Sequence, residues 1–296
     1  MRGMDGILLC SILMSSVCNL GLSEGKRRGM DHIRVIWYNY IVTFSISSAT
    51  LALFGAPGGG FSLSALAQLQ TCRTQDGLFT FTWMIGMVSG VLYLVTFLIL
   101  QRCIVQAGPG MSTLISKLGV VITALLTAPL WRERLTPIRL AGILLACAAL
   151  FLFHEGGLVF HRALPLLFLS NGVNEITKKV YTFYGDIAYQ YLYYWIIFLV
   201  CLILSSGIVL VTRRGGHLSS GELAVGSTVG LCNMGATYTM TWALTGIPAS
   251  IAFPTQCGGV ILFTSAVGAL RYGESFSRVK AAGLLMTIVS IVLMNL

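Results

Sequence analysis

The chain is 296 residues long; 56% of them are hydrophobic, only 10% are charged, and the mean hydropathy is +0.83. Soluble domains carry about 25% charged residues, so the composition excludes a soluble enzyme and calls for an integral membrane protein. The net charge of +9 at pH 7 is no argument for nucleic acid, because the basic residues sit mainly at the ends of apolar runs, where they read as membrane-interface anchors.

In chain order, Arg2 precedes an apolar run at 6–22 that has the length of a signal peptide. No convincing small-residue cleavage site follows in SSVCNLGLSEGK, so a retained first span is expected. A span needs ~20 mostly apolar residues. Runs of that length fall at 6–23, 33–54, 79–101, 109–131, 136–153, 163–181, 188–211, 222–245, 249–270 and 278–295. Basic clusters (GKRRG at 25–29, RER at 132–134, TRRGG at 212–216) and Gly or Pro residues separate them, as helix ends require. The longest loop, 55–76, is Gly-rich at its start and is expected to carry a short interfacial helix around 62–70. The eight cysteines, at 10, 18, 72, 103, 147, 201, 232 and 257, show no CxxC pairing. They read as small buried hydrophobes, and no disulfide framework, metal site or cofactor is expected.

The two halves of the chain resemble each other. At offset 155, Ser15, Asn19, Asp31 and Tyr38 match Ser170, Asn174, Asp186 and Tyr193. At offset 140, Gly86 and Gly90 match Gly226 and Gly230; at 139, Pro109 and Gly119 match Pro248 and Gly258; at 141, Glu133 and Gly142 match Glu274 and Gly283. Small indels account for the drift. The repeats are 1–153 and 154–296, each with five spans. Five is odd, so the second copy enters the membrane inverted. The expected fold is an all-α membrane protein of ten transmembrane helices, arranged as two inverted five-helix repeats around a central cavity, as in many secondary transporters.

Two stretches make the resemblance more specific. They are AGPGMSTLISKLGVVITALLTAPLWRERLTPIRLAGILLACAALFLF and GIPASIAFPTQCGGVILFTSAVGALRYGESFSRVKAAGLLMTIVSIVLM. Each runs from a helix through a short Glu-bearing turn to a small-residue-rich final helix. In this the chain resembles the drug/metabolite transporter superfamily, with EamA-type repeats, over essentially its whole length. The resemblance implies a secondary active transporter that moves a small polar metabolite across a bacterial cytoplasmic membrane by alternating access. Implied substrates include amino acids, sugars, nucleotide-sugars, drugs and phosphorylated metabolites. A small molecule, the bilayer and a coupling proton are the expected partners, with the chain a monomer or homodimer.

Within STLISKLGVVIT (112–123), Lys117 is the one charge in residues 111–131. A lysine in hydrocarbon costs ~2.5–3.5 kcal/mol on insertion scales. Its repeat counterpart is Gln256, so the two are expected to face each other across the axis between the halves. Either Lys117 lines the cavity and binds a carboxylate or phosphate, or it snorkels from ~12 Å inside its helix. A second candidate, Glu175 in SNGVNEITKKV, is an acid well inside an apolar run. Either it exchanges a coupling proton, or it pairs locally with Lys178 and Lys179 at i+3 and i+4. Asn19, Asn174 and Asn233 are cavity candidates or interhelical hydrogen-bonding glue. Tyr193 is a cavity-wall candidate, with Trp83 and Trp242 secondary; Asn39 and Trp195 belong to the same group. The paired Gly86/Gly90 and Gly226/Gly230 read as packing positions, and Pro254 frees a carbonyl near Gln256.

Enzyme signatures (HExxH, GxSxG, a P-loop, GxGxxG) are missing from the sequence. Glu133 and Glu274 read as helix caps. The competing class is a non-transporting membrane-embedded binding or scaffold protein on the same fold. Orientation is contested: eleven Lys and Arg lie on the side of the odd-numbered loops and seven on the side of the termini. The charge rule thus puts the termini outside, whereas the resemblance implies cytoplasmic termini.

Overall fold

A computed structural model describes residues 2–69, 73–119, 121–122, 126, 136–155, 163–212, 219–243, 247, 249–273 and 278–295. These form eleven α-helices, with no strand among the described residues. They are α1 (Arg2–Arg27), α2 (His32–Phe54), α3 (Leu63–Ala67), α4 (Gln75–Ala107), α5 (Pro109–Leu118) and α6 (Pro137–Glu155). After these come α7 (Ala163–Tyr184), a 3-10 turn (Ile187–Tyr189), α8 (Gln190–Val211), α9 (Ser220–Ala243), α10 (Ala249–Tyr272) and α11 (Arg278–Asn295). The short α3 lies where an interfacial helix is expected. Glu133, Glu274, Pro248 and the 156–162 boundary between the halves lie outside the described residues.

Local chemistry sets the helix ends. Asp31 Oδ1 accepts the Ile33 N–H at 2.9 Å to start α2, and Asp186, which matches it at offset 155 in the sequence, accepts the Ala188 N–H at 2.8 Å to start the 3-10 turn. These are the capping bonds that satisfy orphan first-turn donors. α4 gives way to α5 at Gly108, whose φ of +86° suits glycine, and Pro109 fills the first position of α5, where no N–H is needed.

The helices pack in a definite pattern: α1 on α9 and α10, α9 also on α2, α7 on α4 and α5, α4 also on α8. α2 meets α8, α5 meets α10, and α6 meets α11, which also packs on α10. The glycine pairs sit at two of these crossings. A Cβ on Gly86 would come within 2.9 Å of Ile196, and one on Gly90 within 2.9 Å of the Ile197 carbonyl oxygen, both on α8. On α9, Gly226 and Gly230 would clash with the Val35 and Asn39 carbonyl oxygens of α2 at 2.7 and 2.8 Å. Only glycine allows these backbones so close.

Polarity is distributed inside out. Ser11, Ser16, Thr43, Thr80, Thr82, Ser112 and Thr287 are fully buried. Hydroxyls such as those of Ser16, Thr82 and Thr287 donate to carbonyls one turn back on their own helices. Large apolar side chains face outward in stripes: Leu9, Leu13 and Val17 on α1, and Met84, Met87, Val88, Val91 and Val95 on α4. Exposed apolar stripes on this scale are a liability in water and compatible with lipid. Three described helices are long and apolar enough to cross a membrane, within Asp5–Arg27, Gln75–Ala107 and Ile187–Val211. The sequence reading expects ten. α7 falls short because it carries Glu175, Lys178 and Lys179, and α5 because its described helix ends at Leu118.

Charges gather at one end of the bundle, where α1 and α10 finish and α2 and α9 begin. Glu24 binds Arg27 and Arg28 at 2.8 Å each and reaches Arg271 at 3.7 Å, while Lys26 donates to the Val105 carbonyl at the end of α4. Glu222, in the first turn of α9, pairs with Arg34 at 2.9 Å and accepts the Asp31 N–H at 2.9 Å. Its carboxylate is buried and lies at the favourable pole of its helix. Removing one partner of a buried pair leaves the other charge uncompensated, so Glu222→Gln is expected to destabilise the chain by ~3 kcal/mol. A thermal melt of the purified protein checks this, with the drop expected to exceed that of Glu24→Gln at its more accessible site.

Candidate functional site

Lys117 is the penultimate residue of α5, and the chain turns at Gly119. α5 is pinned to α7 at this level, since the Asn171 side-chain amide donates to the Ser116 carbonyl at 2.7 Å. Gly119 and Gly172 bring the backbones together: a Cβ on Gly119 would lie 3.0 Å from the Gly172 nitrogen. One turn beyond Asn171 on α7 stands Glu175, with Lys178 another turn along. Lys178 Nζ lies 2.6 Å from Glu175 Oε1, so the i+3 pair of the local reading is formed.

Lys117 joins this pair electrostatically, acting on the Glu175 carboxylate and on the Cys257 thiol of α10. Among the described residues it makes no hydrogen bond and no close ion pair. Glu175 and Lys178 keep 36% and 47% of their side-chain surface accessible, and Tyr194 of α8 and Cys257 of α10 interact electrostatically with both.

Aromatic side chains stand beside the charges. Tyr181 of α7 stacks on Tyr193 of α8, ring centres 3.9 Å apart and planes 4° from parallel. The Tyr193 hydroxyl donates to Ser89 Oγ of α4 at 3.0 Å. Tyr194 lies beside Thr241 of α9, interacts with both Glu175 and Lys178, and meets the Tyr238 ring edge-on. Residues from α5, α7, α8, α9 and α10 thus converge on one charged cluster.

The other candidates lie around it. Gln256 does not reach for Lys117: its amide donates to Ser15 Oγ at 3.3 Å and Ser11 Oγ at 3.5 Å, both on α1. The neighbouring Cys257 is the α10 residue that Lys117 acts on. Asn19 Nδ2 donates to Thr113 Oγ1 of α5 at 2.9 Å. Asn174 is buried at 4% exposure, its carbonyl accepting the Thr177 hydroxyl. Asn233 sits in a separate buried network, accepting from the Tyr93 hydroxyl at 2.8 Å and donating to Asn39 Oδ1 at 3.4 Å. That network ties α9 to α4 and α2, which is the glue role. Trp83 packs edge-on against Trp195, whose indole donates to Ser48, and Trp242 is 62% exposed. A groove of about 370 Å³ on the outer face of α3 and α4, lined by Leu66, Phe81, Met84, Ile85, Met87 and Val88, is apart from these charges.

Sequence reasoning missed Tyr181, Thr241 and Cys257. Tyr181 is one helical turn past Thr177 on the face of Asn174, a periodicity that points to it once Glu175 is suspected. Thr241 and Cys257 carry no such signal.

No family model matches the chain, and no curated protein matches it. A solved structure, described only as the crystal structure of a protein, is similar over 99% of this chain and 96% of that chain, with 17% sequence identity and a TM-score of 0.59. The likeness extends over nearly the full length of both chains. At that identity it carries the fold alone.

Proposed function

We propose that the protein is a secondary transporter of a small polar metabolite, working by alternating access, of the drug/metabolite transporter kind with EamA-like repeats. The observation that carries this reading is the Lys117–Glu175–Lys178 cluster. It gathers three charges that interact across α5, α7, α8 and α10, in a bundle that carries apolar stripes on its outer face. Charges within a membrane are expensive, and where they occur they mark substrate and ion pathways.

The proposed architecture is ten spans in two inverted repeats, 1–153 and 154–296, in a bacterial cytoplasmic membrane. Exchanging each helix for its counterpart in the other half supports it. α1 on α9 becomes α7 on α4; α2 on α9 becomes α8 on α4; α1 on α10 becomes α7 on α5. Among the described residues some contacts, such as those of α5 with α4 and of α10 with α11, have no counterpart of similar extent, so the two halves are similar rather than identical. The matched caps Asp31 and Asp186 and the matched glycine crossings support the same reading.

Flux measured in proteoliposomes tests the function. Transport of at least one bound metabolite is expected, driven by its own gradient or by a pH gradient. A compound that binds but never crosses would leave a non-transporting binding protein. Where Glu175 carries a coupling proton, Glu175→Gln is expected to abolish the pH dependence of uptake and to leave exchange of bound substrate intact. An unchanged pH profile would restrict Glu175 to its pair with Lys178.

A further inference from the structure

We infer that the substrate is a small organic monocarboxylate whose carboxylate is taken by Lys117. This rests on the transporter reading and narrows it. Lys117, Lys178 and Glu175 together carry two ammoniums and one carboxylate, one positive charge in excess among these three. Lys178 is committed to Glu175 at 2.6 Å. Lys117 makes no hydrogen bond or close ion pair among the described residues, although an ammonium has three N–H donors to place. It is half-buried, where a charge without a partner is unfavourable. One carboxylate accepts those donors and cancels the excess charge in the same step.

Other charge types fit less well. A zwitterion can place its carboxylate on Lys117, but its ammonium must compete with Lys178 for Glu175, and the excess remains. A phosphate monoester carries about −1.5 to −2 at pH 7 and overshoots. A cation meets a site that is already positive. The body of the anion meets aromatic surface at Tyr194, which is half-buried and interacts with both Glu175 and Lys178, whereas Tyr181 and Tyr193 are buried against each other. The preferred ligand therefore has one negative charge and a compact apolar or aromatic remainder.

The test is thermal stabilisation of the purified full chain by a matched panel. Lactate and benzoate are compared with their neutral amides, with alanine and phenylalanine as zwitterions, glycerol phosphate as the phosphate ester and choline as the cation. The monocarboxylates alone are expected to raise the melting temperature, by ~2–4 °C. The shift is expected to vanish in Lys117→Gln and to survive in Lys117→Arg. The inference is overturned if no monocarboxylate stabilises the wild type, if another charge class does so as well or better, or if Lys117→Gln responds like the wild type. The wild-type panel stands even where a variant folds poorly. Binding of a monocarboxylate that fails to cross proteoliposomes would overturn the transport reading and leave this assignment standing.

Discussion

Replacing Lys117 with glutamine is expected to cut substrate flux at least ~10-fold, equivalent to ~1.4 kcal/mol, with little loss of folded protein. The asymmetry follows from the geometry. Lys117 has no described hydrogen-bond partner, so its removal orphans no donor or acceptor, and orphaned groups are what make polar deletions destabilising. Glu175 and Lys178 keep each other at 2.6 Å. What disappears is an ammonium free to meet a ligand. Uptake into proteoliposomes, set against monodisperse yield by size exclusion, checks the prediction. Parallel losses in both would make Lys117 a structural lysine that snorkels toward its helix end.

The largest stability losses are expected at the glycine crossings. Gly226→Ala places a Cβ 2.5 Å from that of Tyr38 and 2.7 Å from the Val35 carbonyl oxygen. A backbone atom cannot rotate aside as a side-chain end can, so α9 must move off α2. Overpacking of this kind costs ~1–3 kcal/mol, and leucine at the same position more. Gly90→Ala, against the Ile197 carbonyl of α8, is expected to match it. Gly207→Ala is the control: nothing lies within 4 Å of the place its methyl group would take, and alanine favours a helix by ~1 kcal/mol over glycine. Melting temperatures in detergent should fall for the first two and hold or rise for the third. Three equal results would mean that α2, α4, α8 and α9 do not cross at these glycines.

Much of the fold was legible because the signals were local or repeated. The Gly-x3-Gly spacing recurs at offset 140, and glycine at one face of an apolar helix has few uses other than close approach. Asp31 and Asp186 precede helices and cap them for the reason their short carboxylates suggest. The site was legible only in part. Glu175 and Lys178 share a helix, so their pairing could be read from spacing. Repeat symmetry puts Gln256 opposite Lys117, but Gln256 donates to Ser11 and Ser15 instead. A one-residue difference in facing decides that, and a sequence offset cannot resolve it. Thr241 and Cys257 meet the cluster through contacts between distant helices, which leave no periodic trace.

Three contacts described above join a helix to its own repeat counterpart: α2 to α8, α5 to α10 and α6 to α11. Under the repeat reading these are isologous contacts, the kind that a two-fold dimer of one half-length chain must make. On that reading the symmetric form of this fold is a five-helix chain paired with an inverted copy of itself, and joining the two in one chain lifts the requirement that their surfaces stay identical. Position 117 can then carry a lysine where its counterpart, position 256, carries a glutamine.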